Sequence, residues 1–274
     1  MADRYAVIGN PVEHSKSPAI HQAFALQTGQ DIEYDRVLAP LKGFAETLAG
    51  LRASGYRGAN VTVPFKFEAC RAAQRLSERA QAAGAVNTLL LDGDEIVGDN
   101  TDGIGLVCDI EHNLGHDLAG KRILLVGAGG AAEGVLLPLL ERRPMQLTIV
   151  NRSVDKVSAM VERVADSAAA QDVELEAAAF DTLTARQFDT IINATSAGLS
   201  HAALPLPPTI FGRDALAYDM MYGRETPFMR FARDHGAATV ADGLGMLVEQ
   251  AAAAFHLWRG IYPQTAPVIA QLRA

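Results

Sequence analysis

Apolar and polar positions follow two different periods along this chain. Short runs crowded with apolar and β-branched residues, "YAVIG", "IEYDRVL", "GANVTV" and "AVNTLLL", alternate with segments whose apolar residues return every three or four positions. Strand-like and helix-like stretches that alternate nearly from end to end predict an α/β fold with a largely parallel sheet. The first helix is expected over 17–28: Ser17 caps it, Pro18 suits its first turn, Ile20 and Phe24 share a face, and Gly29 stops it. From "KRILLVGAGGAAEG" a second series begins, "QLTIVNRS", "VELEAAAF", "DTIINATSAG", "ALAYDMMY" and "ATVADG". Its apolar, β-branched content predicts strands buried on both faces. The turn-rich segment "GDNTDGIG" leads into a helix expected over 104–114 and marks a boundary near Thr101 and Asp102. A last helix over 244–259 follows the final strand and is expected to return to the first domain. The pattern thus predicts two α/β domains, 1–101 plus 243–274 and 102–242, with a cleft between them.

Composition narrows what such a fold does. A length of 274 residues suits two domains, and 49% hydrophobic with 20% charged residues is the balance of a globular protein. No apolar run approaches the ~18 residues of a membrane span, and "MADRYAVIGN" has no secretory apolar region, so a cytoplasmic place is expected. The net charge of -8 with no basic cluster argues against nucleic acid and leaves a small molecule as the partner; the sequence leaves open whether the protein is a monomer or a homodimer. Cys70 and Cys108 are too few for a disulfide framework or a cysteine zinc site. His112 and His116 have the spacing of paired metal ligands, but Gly115 lies between them near the helix end, so they read as surface residues and no metal is expected. His14, next to Ser15, reads either as a ligand contact or as a solvated loop residue.

The second domain carries a cofactor signature. In "ILLVGAGGAAEG", Gly127, Gly129 and Ala132 form G-x-G-x-x-A between a strand and a helix. The first glycine turns the chain, the second admits a pyrophosphate to the backbone, and the small third residue lets helix and strand pack closely. Free N–H groups at the helix start then hold the phosphates. An NAD enzyme usually ends the next strand with a carboxylate for the ribose 2′-hydroxyl, whereas "TIVNRS" supplies Asn151, Arg152 and Ser153. A guanidinium forks onto a 2′-phosphate, so NADP is expected, with Lys156 as a second positive contact. Thr195, in "NATSAG" after the strand "TII", is placed to line the nicotinamide side.

Polar residues of the first domain gather at element ends. Ser15 and Ser17 follow a strand and open a helix, where hydroxyls and free N–H groups suit a substrate carboxylate. Thr62 alternates with Val61 and Val63, Asn87 opens "NTLLL", and Asp102 stands where a helix N-terminus stabilises its charge. Lys66 is the anomaly. In "NVTVPFK" a strand closed by Pro64 delivers a cation to a helix N-terminus, against the dipole and at a cost of ~0.3 to 1 kcal/mol.

Taken in order, "SKSP", "NVTVPFK", "GAVNTL", "GDNTDG", "GAGGAA", "NRS", "NATSAG" and "GLGMLVEQAA" cover nearly the whole chain and resemble the shikimate dehydrogenase family. The resemblance implies reversible NADP-dependent reduction of 3-dehydroshikimate to shikimate, a step of chorismate and aromatic amino-acid biosynthesis, with a Rossmann-like cofactor domain beside a substrate domain. On the matching positions it implies that Ser15, Ser17 and Tyr222 bind the carboxylate and that Thr62, Asn87, Asp102 and Gln250 contact hydroxyls. Lys66, with Asp102 beside it, is implied as the acid/base partner of the reacting oxygen. For the cofactor it implies Gly127, Ala128, Gly129, Gly130 and Ala131, then Asn151, Arg152, Ser153 and Lys156, with Met220, Gly243 and Glu78. Lys156 stands where relatives often carry arginine, which keeps the charge and loses the fork. Two alternatives are a quinate/shikimate enzyme with relaxed use of NAD and a dinucleotide sensor without turnover; Arg152 speaks against the first and the Lys66 and Asp102 pair against the second.

Overall fold

A computed structural model of the chain describes residues 2–195 and 203–274. The chain divides into two compact units, Met1–Gly105 with Leu247–Ala274, and Leu106–Met246.

Six strands form the sheet of the first unit, in the order β2 (Ile32–Leu38), β1 (Asp3–Gly9), β3 (Tyr56–Val61), β5 (Thr88–Leu90), β6 (Val97–Asp99), β4 (Arg75–Leu76). β1 pairs in parallel with β2 and β3, and β4 with β6, but between these pairs β5 runs antiparallel to both β3 and β6. The turn over 91–96 is too short for a crossover helix, and only an antiparallel partner can be reached by so short a connection. Alternate residues of β1 face opposite layers. Ala6 and Ile8 pack with Leu48 and Leu51 of α2 (Phe44–Ala53) and with Phe65, while Tyr5 packs with Ile20 and Phe24 of α1 (Ser17–Thr28). Val248, Ala251 and Phe255 of α8 (Leu244–Arg259) complete that second layer, so a C-terminal helix closes the core begun by the first strand. Lys16, not Ser17, stands at the N-cap of α1, and no side chain caps it; Ser17 is the first helical residue, and its hydroxyl meets Ser15 instead. Gly29 ends α1 in the left-handed conformation at φ 66°, as its position suggests.

The second unit is a six-stranded parallel sheet, β12 (Thr239–Asp242), β11 (Phe211–Asp219), β10 (Phe188–Asn193), β7 (Arg122–Val126), β8 (Gln146–Val150), β9 (Glu174–Ala178). Chain order reverses between β7 and β10, the switch point of a doubly wound sheet, at whose strand C-termini ligands bind. Ile123 to Val126 of β7 are fully buried, whereas β9, at the sheet edge, is half-exposed over most of its length. The helix expected over 104–114 is two pieces, α5 (Asp102–Cys108) and a π-helical turn, Asp109–Asn113. The wider turn brings the buried Asp109 carboxylate to the Tyr218 phenol, 2.6 Å away, and to the Asn113 amide. Gly245 fits against it because a Cβ there would lie 1.9 Å from Asp109 Oδ1. No helix among the described residues is long and apolar enough to cross a membrane.

Candidate active site

β3 ends at Val61, earlier than Pro64, because the chain turns at once: Phe65 N–H donates back to the Thr62 carbonyl at 3.0 Å. That turn opens α3 (Lys66–Ala72), and Lys66 is its first residue. Its ammonium pairs with Oδ2 of Asp102, the first residue of α5; the two side chains are 17% and 8% exposed, so the pair is largely shielded from water. The cation set against one helix dipole is thus offset by a carboxylate that a second helix N-terminus favours. Oδ1 of Asp102 accepts from Asn87 Nδ2 at 2.7 Å, and Asn87 Nδ2 also lies 3.3 Å from Gln250 Oε1. Gln250 itself donates to the Leu247 carbonyl at 2.8 Å. Lys66, Asn87, Asp102 and Gln250 therefore form one cluster, drawn from α3, the residue before β5, α5 and α8.

Ser15 and Ser17 lie with hydroxyls 3.1 Å apart, and Ser17 N–H donates to Ser15 Oγ at 3.3 Å. The Arg36 guanidinium grips the Ser15 carbonyl with two hydrogen bonds, of 3.0 and 2.7 Å. Arg36 has no place in the sequence reading, although alternation along "IEYDRVL" sets Tyr34 and Arg36 on one side of β2. Thr62 is half-buried, with its methyl over Gly9; a Cβ on Gly9 would lie 2.5 Å from that methyl, so only glycine fits. His14 is exposed.

In the second unit, Gly127 follows β7 at φ 125°, and a Cβ on it would lie 3.2 Å from the Ala194 carbonyl and from the Thr195 methyl. Gly129 precedes α6 (Gly130–Glu141) with open space beside it, and no side chain caps the helix, so the first amides, those of Gly130 and Ala131 included, stand without intrahelical partners. Ala132 is fully buried against the core, while Ala128 is half-buried. A loop with room over its second glycine and uncapped amides behind it fits a pyrophosphate. After β8, Arg152 is exposed and makes no ion pair or hydrogen bond among the described residues; the Asn151 amide turns to the Ser153 carbonyl, at 3.4 Å, and Lys156 is exposed near the start of α7 (Val154–Ala170). With no carboxylate at 151–153, these residues fit the 2′-phosphate of NADP better than a bare 2′-hydroxyl.

Thr195 is held by Asn193, whose Oδ1 accepts from the Thr195 hydroxyl at 2.7 Å and from its N–H at 3.1 Å. The rest of "NATSAG", 196–198, lies outside the described residues. Met220 and Gly243 touch: a Cβ on Gly243 would lie 2.3 Å from the Met220 carbonyl. Tyr222 is half-buried, and burial raises its phenol pKa, which keeps it a hydrogen-bond donor. Glu78, exposed, is the first residue of α4 (Glu78–Ala83) and belongs to the first unit, whereas the other cofactor candidates belong to the second. His112 is on the surface, but His116 is half-buried with Nε2 2.9 Å from Thr190 Oγ1, and burial lowers its pKa. No group of three metal-ligating side chains occurs among the described residues.

Three family models match the chain: the shikimate dehydrogenase substrate binding domain over residues 7–89, shikimate / quinate 5-dehydrogenase over 109–201, and the shikimate 5′-dehydrogenase C-terminal domain over 243–273. The shikimate dehydrogenase (NADP(+)) of Methylobacillus flagellatus is 62% identical over 272 residues, covering 99% of each chain. Among solved structures, an Ael1 enzyme from Pseudomonas putida superposes with a TM-score of 0.93 at 47% identity, covering 99% of this chain and 98% of its own. Shikimate 5-dehydrogenase from Thermus thermophilus, solved in complex with NADP(H) and shikimate, gives 0.85 at 32% identity, with 99% and 98% covered. Full-length identity at this level, on a glycine loop and an arginine suited to NADP, makes the chain a member of the shikimate dehydrogenase (NADP(+)) family.

Proposed function

We propose that the protein catalyses the reaction of its family, reversible NADP-dependent reduction of 3-dehydroshikimate to shikimate, with Lys66 and Asp102 moving the proton. The observation that carries this reading is the shielded ion pair of Lys66 with Asp102, set beside the side-chain amides of Asn87 and Gln250. When bound, the dinucleotide supplies or accepts the hydride at the substrate carbon that bears the reacting oxygen. In reduction Lys66 gives a proton from its ammonium to that oxygen as the carbonyl becomes a hydroxyl; in oxidation the pair takes the proton back. Asp102 holds the ammonium in place and keeps it from turning to water. Asn87 and Gln250, with Thr62, contact the ring hydroxyls, and Ser15 and Ser17 hold the carboxylate with the help of Tyr222. Gly127 to Ala131 hold the pyrophosphate, Asn151 to Ser153 with Lys156 hold the 2′-phosphate end, and Thr195, Met220 and Gly243 line the remainder. Glu78 is assigned to the cofactor by the family resemblance alone.

Lys66→Ala tests the chemistry. A lost general acid should lower kcat by about a hundred- to ten-thousand-fold with KM little changed; an unaltered kcat would remove Lys66 from proton transfer. Initial rates with NADP and NAD, each on shikimate and quinate, test the substrate and cofactor, and equal use of NAD would refute the part assigned to Arg152.

A further inference from the structure

Two buried polar side chains stand one step behind the proton-transferring pair. Asn60 of β3 and Thr88 of β5 are 6% and 0% exposed and lie opposite each other in the antiparallel register. Groups whose hydrogen-bonding role is fixed give the direction of the bonds between them. The Thr101 backbone N–H, which only donates, lies 2.8 Å from the Asn87 side chain, so the atom it meets is the amide oxygen. The other end of that amide, 2.7 Å from the Asp102 carboxylate, is then the NH2. Thr88 Oγ1, 2.8 Å from the same Asn87 oxygen, must donate its proton there, which leaves its lone pairs to accept from Asn60 Nδ2 at 3.1 Å. Asn60 Oδ1 in turn accepts from the Tyr34 phenol at 2.7 Å. One unbroken direction runs from Tyr34 through Asn60, Thr88 and Asn87 to Oδ1 of Asp102, whose Oδ2 meets Lys66.

We propose that Asn60 and Thr88 are positioning residues for the reaction, acting through Asn87 on Asp102. Their task is to keep the Asn87 amide turned with its NH2 toward the carboxylate. Turned over, the amide would set its carbonyl oxygen against Oδ1, two acceptors facing each other, and Asp102 would be driven from its place beside Lys66. In a chain of this kind each bond polarises the next, so the loss of an inner member weakens the last one too. The inference rests on the reading of Lys66 and Asp102 as the proton-transferring pair.

A double-mutant cycle tests it. Thr88→Val keeps the shape, removes the hydroxyl, puts a methyl against Asn87 Oδ1 and takes from Asn60 Nδ2 the nearer of its two acceptors, leaving it only the Asn87 backbone carbonyl at 3.3 Å; kcat should fall about tenfold. Thr88→Ser, which keeps the hydroxyl, should recover most of that loss. In an Asn87→Ala background Thr88→Val should cost less than about twofold, because the group it acts through is gone. A loss that multiplies in full across the two sites, or a serine variant as poor as valine, overturns the proposal. Lys66→Ala, run alongside, separates the two readings: if it retains kcat the site assignment fails, and if it loses kcat while the cycle multiplies only the positioning role fails. The unaltered protein supplies a second readout should Thr88→Val not fold. A fixed Asn87 amide gives two separate side-chain proton resonances that exchange slowly with water, and fast exchange of those protons overturns the proposal equally.

Discussion

Acid should weaken the first unit through one histidine. His21, on α1, is wholly buried in an aromatic box, stacked on Tyr34 with centroids 4.3 Å apart and 7° between planes, with Phe24, Phe255 and Trp258 around it. Neither ring nitrogen has a hydrogen-bond partner. Burial drives its pKa from the usual 6.5 down to about 3, opposed by the Asn60 side chain. The folded value lies below the unfolded one, so above pH 6.5 the ring is neutral in both states and contributes no pH dependence. Below that, the unfolded chain takes up a proton that the folded chain refuses, and stability falls by ~1.4 kcal/mol for each pH unit until about pH 3. Acidification to pH 4.5 therefore removes about 2.7 kcal/mol, a large share of the ~5 to 15 kcal/mol that holds a typical domain together. Trp258 is the single tryptophan of the chain and lies 5.3 Å from His21, so its fluorescence in urea reports the unit concerned. His21→Leu removes the titrating ring and two unsatisfied nitrogens; the variant should match or exceed the parent at pH 7 and lose less stability on acidification, by the amount above. Other titrating groups are common to both proteins and cancel in the comparison. Parallel loss of stability in parent and variant between pH 7 and pH 4.5 would show that His21 is not the group that resists protonation.

Gly58→Ala should destabilise the same unit by about 2 to 4 kcal/mol, since the new methyl would lie 2.5 Å from Trp258 Nε1 and 2.9 Å from the Leu89 carbonyl that accepts from it. Urea unfolding read by Trp258 fluorescence checks it, and a change under ~0.5 kcal/mol would mean that the indole moves aside freely. Arg152→Asp should weaken NADP binding about tenfold or more by titration calorimetry while NAD binding holds or improves; the exposed site keeps the effect near the low end of what a charged hydrogen bond gives. Equal loss for both dinucleotides would point to a damaged loop and not to 2′-phosphate recognition.

Much of the architecture is legible in hydrophobic period because period is local. Buried parallel strands write themselves as apolar runs, as β7, β8 and β10 at the centre of the second unit do, whereas the outer strands β9 and β12 are partly exposed despite their apolar look. The limits also have physical causes. β5 reads as a strand like the others, and its antiparallel direction against β6 appears only once the short turn over 91–96 is weighed against the length of a crossover. The break at Cys108 is set by tertiary contact, since Asp109 turns inward for Tyr218, a residue far along the chain on β11. Nothing in "GLVCDIEHNLG" marks where the helix widens. His116 misleads in the same way, because a histidine near a helix end reads as solvated until Thr190 of β10 is seen beside it.

Candidate chemistry is legible where a residue breaks a local rule. Lys66 at a helix start, Arg152 where a carboxylate is usual, and glycines between strand and helix each stand out against their surroundings. Arg36, Asn60 and Thr88 break none. Arg36 occupies an exposed strand position and is spent on the Ser15 carbonyl, a contact between residues from separate elements. Asn60 and Thr88 interrupt the apolar runs "GANVTV" and "NTLLL", yet a strand always has polar residues to place, and burial on both faces of this one is known only from the sheet. What makes them significant is register: β3 and β5 pair so that Asn60 meets Thr88, one residue from Asn87. A buried amide and hydroxyl must each find a partner, since leaving either bare costs ~1 to 3 kcal/mol. Once Asn60, Thr88 and Asn87 are buried side by side, satisfying all three allows few arrangements, and the Thr101 N–H selects the one that turns the Asn87 NH2 toward Asp102.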